Sequence, residues 1–254
     1  MIVMELILPS KLKNEPFVEA VCEIYVNSPI GLHNILPGIF FSKYPNDISE
    51  ITQQPLFFAP QIDSIQQSMA VNSVSIQLKW DSFRVVVGPG VISIFAAIPY
   101  VGWEEFSKAI NKILKTVLET EQVTRIERYS IKYANILNSK DFPKGLDALN
   151  LKLNLGDFVL NNEQAQIRLE IQMESYLTIF TLSSVVNMQY PGGAILEGVL
   201  IDIDTINKNP ISDIVNFKNE LPNLLNDIHA KNKTFFFKTL KRETIQALGP
   251  SYDN

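Results

Sequence analysis

Arg125–Leu137, R-I-E-R-Y-S-I-K-Y-A-N-I-L, is the stretch on which the reading of the chain turns. It alternates as a β-strand does, with successive side chains on opposite faces. Ile126, Arg128, Ser130, Lys132, Ala134 and Ile136 share one face, and Glu127, Tyr129, Ile131, Tyr133 and Leu137 share the other. A run of strand-like segments closed by a helix lies before it, and a second run of the same kind lies after it. The stretch therefore reads as a seam between two similar halves.

Working back from the seam, Trp103–Glu119 is the clearest helix. Phe106, Ala109, Ile110, Ile113, Leu114, Val117 and Leu118 form one apolar stripe. Its acids come early and its lysines later, as the helix dipole favours. Ser73–Trp80, Phe83–Val87 and Val91–Ala97, joined by Asp81-Ser82 and Gly88-Pro89-Gly90, read as an antiparallel meander. Tyr44–Pro60 reads as a connector punctuated by prolines, with Leu56–Ala59 pairing briefly with another strand. Gly31–Lys43 has helical spacing, with Pro37 set to delay or break the helix. Phe17–Asn27 is a strand rich in β-branched and aromatic residues. Met4–Leu8 is a candidate short strand.

Working forward, Lys140–Asn150 reads as a turn with a short helix at Leu146–Leu149, and Val159–Leu160 adds a little strand. Ala165–Glu174, Leu177–Val186 and Ala194–Asp204 form a second meander. Ile211–His229 is helical, with Pro222 expected to kink or break it. Lys231–Leu248 reads as a further helix and Gly249–Asn254 as a frayed tail. The expected fold is α+β: two similar β-α-β-β-β-α halves sharing an extended curved antiparallel sheet, with helices packed on one face. Residues 1–122 form the N-terminal half and 123–254 the C-terminal half with its terminal helix. One compact domain holding both halves is the alternative.

The chain has 254 residues, 46% hydrophobic and 19% charged, enough apolar material for a full core. A net charge of −5 argues against a general nucleic-acid binder. The single cysteine, Cys22, sits in an apolar strand and reads as a small buried hydrophobe. The N-terminal M-I-V-M-E-L-I-L-P-S lacks a basic region and a small-residue cleavage site. No stretch approaches the ~18 uncharged apolar residues of a spanning helix. These features predict a cytoplasmic protein with no membrane partner.

The chain carries no Walker loop, G-x-S-x-G elbow, H-E-x-x-H or C-x-x-C motif. His33 and His229 have no metal-ligand spacing. Asp202 and Asp204 share a strand face and are weak metal candidates. Ordinary solvated carboxylates are the simpler reading, since no third ligand is identifiable. The seam interleaves Arg125, Arg128 and Lys132 with Tyr129 and Tyr133, a composition that can stack bases and neutralise phosphate. Tyrosines and basic residues alternate onto opposite faces, however. Cross-strand pairing of Arg128 and Lys132 with Glu19 or Glu23 is the plainer account. Phe235–Phe237 reads as a helical aromatic cluster docked on the body. No cofactor is called for.

Four stretches, in order, resemble a sporadically distributed prokaryotic family of uncharacterised proteins of about this length. Pro16–Ile24 (P-F-V-E-A-V-C-E-I) resembles its opening V-E-A strand, and Pro99–Phe106 (P-Y-V-G-W-E-E-F) its Y-x-G-W loop-to-helix signature. Arg125–Leu137 resembles its R-I-x-R-x-x-x-R-Y-x-N strand, with Lys132 where arginine is commoner. His229–Leu240 (H-A-K-N-K-T-F-F-F-K-T-L) resembles its closing segment. The resemblance implies one fold across nearly the whole chain and no established activity. Patchy distribution of this kind is typical of defence-associated genes. The expected function is a non-enzymatic protein-interaction module, an accessory or antitoxin-like component of a prokaryotic defence system that binds another protein or a second copy of itself. The alternatives are a small-ligand or nucleotide sensor, with a pocket near Tyr100, Trp103, Arg128 and Tyr133, and a cryptic metal-dependent enzyme using Asp202 and Asp204.

Overall fold

The seam stretch forms a strand, Arg125–Asn138, inside a nine-stranded antiparallel sheet. The computed structural model describes residues 7–55, 74–96, 98–143, 145–160, 163–189 and 195–252. The strands are β1 (Lys11–Leu12), β2 (Phe17–Asn27), β3 (Ile48–Pro55), β4 (Val74–Trp80), β5 (Phe83–Val87), β6 (Val91–Ala96), β7 (Arg125–Asn138), β8 (Leu153–Leu155), β9 (Phe158–Leu160), β10 (Gln166–Met173), β11 (Tyr176–Gln189), β12 (Ile195–Asn207) and β13 (Pro250–Ser251). The helices are α1 (Leu36–Lys43), α2 (Trp103–Leu118), α3 (Ile214–Thr239) and α4 (Arg242–Ala247).

The large sheet runs β10-β11-β12-β7-β2-β6-β5-β4-β3. Outward from its middle, the order repeats. Each lead strand, β7 or β2, lies beside the last strand of its own meander, β12 or β6. The two lead strands lie beside each other. The Thr124 N–H donates to Asn27 O at 2.9 Å and the Ile136 N–H to Pro16 O at 2.7 Å, a rising-against-falling register that marks an antiparallel pair. The α+β class and the shared antiparallel sheet with helices on one side are those expected from the alternation and the helical stripes. Pairing the lead strands covers two edges that would otherwise offer unpaired backbone groups.

The chain divides into two compact units. One comprises Ala20–Ile131 and Ile206–Asn226. Ile24, Leu78, Val85, Ile92 and Ile94 of its strands and Phe106, Ile110 and Ile113 of α2 are all buried, and Phe83 stacks on Phe106 with ring centroids at 5.8 Å. Trp80 is enclosed by Phe40 and Tyr44, with ring centroids at 5.2 and 5.1 Å. Cys22 is buried, as a small hydrophobe in that strand should be. The other unit comprises Met1–Glu19, Lys132–Thr205 and Asp227–Asn254. There Leu137, Phe180, Leu182, Ile201 and Ile203 meet Phe236, Phe237 and Leu240 at the end of α3. The Phe235–Phe237 cluster is thus docked: Phe236 and Phe237 are buried, and Phe235 packs on Phe180 at 5.8 Å.

Several expectations are refined or corrected, while two hold, the helix starting late at Pro37 and Val159–Leu160 forming strand. The Gly31–Lys43 helix is a 3-10 turn, Leu32–Asn34, followed by α1. Pro37 lies in the first turn of α1, where its missing N–H had no intrahelical partner to lose. The connector after Tyr44 contains a full strand, β3, whose largely polar S-E-I-T-Q-Q sequence suits the sheet margin. Pro222 does not end its helix. α3 runs through it to Thr239, and only Arg242–Ala247 forms a separate helix. The tail does not fray at Gly249. With φ at +67°, a value glycine tolerates, it turns the chain so that β13 pairs with β1, and the Ser10 N–H donates to Ser251 O at 2.8 Å. Val159–Leu160 belongs to a hairpin, β8–β9. Met4–Leu6, Leu56–Ala59 and Ala97 lie outside the described residues.

Candidate functional site

Strand parity decides which seam residues face the helices. Tyr129 lies 5.8 Å from Phe217 and Tyr133 lies 5.6 Å from His229, both on α3. Tyr129 and Tyr133 therefore take the helix side, and Arg128 and Lys132 take the opposite face, on which no described helix packs. Arg128 and Tyr133, grouped in one pocket by the sequence expectation, stand an odd number of residues apart, and strand alternation sends them to opposite sides.

In the unit that holds Ala20–Ile131, the open face carries cations laid on aromatic rings. The Arg128 guanidinium sits 4.0 Å from the Tyr25 ring centroid, and that of Arg84 sits 4.0 Å from Phe95. The registers explain these contacts. Lys79 stands opposite Arg84, Arg84 opposite Phe95, and Val21 opposite Phe95. Because Val21, Glu23 and Tyr25 share a face, Tyr25 and Phe95 lie on one surface. Glu23 accepts a hydrogen bond from the Ser93 hydroxyl at 2.9 Å. A guanidinium stacked on a ring keeps its planar fork of donors directed along the surface.

In the other unit, the same face carries a charge cluster. Lys132 Nζ lies 3.0 Å from Asp202 Oδ2, and Asp204 and Glu19 also act on it electrostatically. Burial works against the ammonium, but the surrounding carboxylates, Asp202 foremost, hold its pKa above the ordinary value. Asp202 faces one ammonium, and desolvation outweighs that attraction, leaving its carboxyl above the usual carboxylate range. The cross-strand partner of Lys132 is thus Asp202 of β12. Glu19, expected from the sequence, is a secondary contributor. Asp202 is committed to this ion pair. Among the described residues no three of His, Cys, Asp and Glu are grouped to hold a metal.

The remaining candidates fall elsewhere. Arg125 forms a two-point ion pair with Glu127, Nε–Oε1 2.8 Å and Nη2–Oε2 2.7 Å. Tyr100 and Trp103 both set their rings edge-on to Phe106, and the Trp103 indole N–H donates to Asn226 Oδ1 at 2.9 Å. These contacts tie the Pro99–Trp103 loop to the start of α2 and to α3. On the helix side, the Tyr133 hydroxyl lies 3.2 Å from His229 Nδ1. Burial, aided by Lys233, depresses His229 to about 3, so its imidazole is neutral.

Among the described residues, the unit that holds Lys132–Thr205 includes these cavities. One, of about 280 Å³, is lined by Ser139, Phe142, Ser184, Glu197 and Gly198. Another, of about 150 Å³, is an apolar cleft between Leu169, Ile171 and Phe180 on the sheet and Phe235 on α3. Sequence reasoning missed the stacked cations. Alternation along Phe17–Asn27 puts Tyr25 on one face with Glu23, but only strand order brings Arg128 over it. No protein-family model matches the chain, and no curated protein matches it in sequence.

Proposed function

We propose that the protein is a non-enzymatic interaction module whose recognition surface is the helix-free face of its sheet, acting as an accessory or antitoxin-like component of a prokaryotic defence system. The observation that carries the proposal is the pair of arginines on aromatic rings, Arg128 on Tyr25 and Arg84 on Phe95. Arginine and tyrosine are the residues that most often dominate binding energy at protein interfaces. Lys79 beside them, set against Glu23 and Glu50 on the same face, leaves the patch with a small excess of positive charge, so the partner surface that fits it carries carboxylates. The placement in a defence system follows the resemblance to a patchily distributed prokaryotic family. The test is crosslinking capture in the cells that encode the protein, comparing wild type with Arg84→Glu/Arg128→Glu. A partner recovered by the wild type and lost by the variant supports the reading. Equal recovery by both, or none specific to the wild type, overturns it.

The second reading, a small-ligand sensor, is supported by the 280 Å³ cavity with Ser139, Ser184 and Glu197 at its wall. A ligand that binds only the folded state raises the melting temperature, so a nucleotide and metabolite thermal-shift screen separates the two readings.

A further inference from the structure

Among the described residues, the two terminal strands of the large sheet differ in a way that bears on assembly. β3 carries a register shift between Ile48 and Glu50 and ends in Pro55, both devices that blunt an edge. β10 carries neither. Its eight residues, Gln166–Met173, pair with β11 in one unbroken register, and every one of them is exposed or half-buried. Leu169, at its centre, is 42% exposed.

The sequence of that edge is self-complementary. Gln166-Ile167-Arg168-Leu169-Glu170-Ile171-Gln172 reads the same in both directions about Leu169, except that Arg168 is answered by Glu170. We propose that β10 pairs antiparallel with β10 of a second copy about a two-fold axis through Leu169. Gln166 then faces Gln172 of the second copy, Ile167 faces Ile171, and Arg168 faces Glu170. The arrangement satisfies three separate requirements at once.

The first is backbone direction. The Ser184 N–H donates to Ala165 O at 2.9 Å, so 165 and 184 form a hydrogen-bonded pair. Such pairs recur every second residue, so odd positions of β10 direct their N–H and C=O to β11, and even positions direct theirs outward. Pairing about Leu169 matches even with even, which places about eight backbone hydrogen bonds between the copies, two for each of the four even-numbered pairs. The second is side-chain face. Ile167, Leu169 and Ile171 lie on the same side as Phe180, which stands opposite Leu169, so the apolar cleft at Leu169, Ile171 and Phe235 becomes continuous with that of the second copy. The third is charge. Within one chain, Arg168 and Glu170 already hold each other at 2.7 Å on the exposed face. Across the axis, each instead finds the opposite sign directly opposite, and the pairing occurs twice by symmetry.

This inference goes beyond the interaction reading above and does not rest on it, because β10 contributes nothing to the arginine patch. Sedimentation equilibrium of the full chain up to about 100 µM is expected to show species of twice the 28.7 kDa chain mass. Arg168→Glu and Glu170→Arg each place like charges across the axis twice, and each is expected to weaken self-association roughly thirtyfold or more. Mixed together, the two variants present glutamates against arginines and are expected to form the mixed dimer. The Arg168→Glu/Glu170→Arg double variant is expected to regain the homodimer. Register is read independently with Leu169→Cys, whose two copies would face each other at a Cα separation of about 4.5 Å, within disulfide reach. A wild-type monomer throughout that range overturns the proposal. So do single charge variants that associate as the wild type does, or a Leu169→Cys protein that forms no disulfide-linked dimer on mild oxidation.

Discussion

Replacing Lys132 with methionine tests the charge cluster on the open face, because it removes the ammonium and keeps most of the side-chain volume. Glu19, Asp202 and Asp204 are then left without the cation that they act on. Removing one member of a fully buried ion pair costs about 3–5 kcal/mol. Lys132 keeps 37% of its side-chain exposure and Asp202 keeps 19%, so solvent screens part of that loss and the expected cost is about 2 kcal/mol. The pH dependence carries a sign. In the wild type, the folded pKa of Lys132 lies above 10.5, so its stabilisation is complete below pH 10.5 and is lost only as pH rises through the folded value. In the variant, the carboxylates repel one another. Asp202, already above its ordinary value through desolvation, takes up a proton early as pH falls. The penalty should therefore be largest at neutral pH and shrink as the solution is acidified. Urea unfolding followed by the fluorescence of Trp80 and Trp103, run in parallel on wild type and variant at several pH values, measures it. A difference under about 0.5 kcal/mol at neutral pH, or a penalty that does not change on acidification, would refute the electrostatic account.

Three further outcomes concern the helix side, the strand ladder and α1. His229 titrates near 3 in the folded protein against 6.5 when free, so the unfolded chain binds the extra proton between those values. Stability should fall as pH drops from 6.5 towards 3, by up to the order of 4 kcal/mol, and His229→Gln should remove that part of the acid sensitivity in a pH series of thermal melts. Gly198→Ala would place a Cβ 2.0 Å from the Leu137 carbonyl oxygen and 2.9 Å from Ile136 Cγ2, forcing β12 away from β7. The strain, with loss of the Ser139 N–H to Glu197 O bond, should cost about 3 kcal/mol and lower Tm by roughly 6–12 °C. Gly38→Ala in α1 meets nothing within 4 Å and should instead raise stability by about 0.5–1 kcal/mol, so calorimetry on the pair checks direction as well as size.

The sheet was legible because its strands alternate without interruption. Val74–Trp80 and Gln166–Met173 announce both their conformation and their apolar side by period alone, although Ser75 is buried and no residue of Gln166–Met173 is. β3 was not, since an edge strand with Ser, Glu, Thr and Gln has the composition of a loop, and only pairing with β4 distinguishes it. Pro222 does not break α3, for a related reason. Propensity sets the local cost of a proline, but the burial of Phe217, Leu221, Leu225 and Ile228 along one side of α3 is a tertiary gain that a local rule does not contain. For the site, parity in the seam separated Arg128 and Lys132 from Tyr129 and Tyr133. The partners of the cations required strand order. Asp202 reaches Lys132 because β12 lies beside β7, and Tyr25 reaches Arg128 because β2 lies on the other side.

That separation by parity has a consequence for how the chain divides its work. In β7, the odd positions Tyr129 and Tyr133 pack on α3. The even positions Arg128 and Lys132 meet side chains of the neighbouring strands. A one-residue slip of β7 against its neighbours would bury both cations under α3 and expose both tyrosines, a change that removes the cations from their partners and the rings from their core at once. Gly198 stands where such a slip would have to pass. It lets β12 approach the Leu137 carbonyl so closely that no other residue fits the present register. The polar face therefore owes its alignment to the apolar one, and the register that places Arg128 over Tyr25 is the same register that seats Tyr133 against His229.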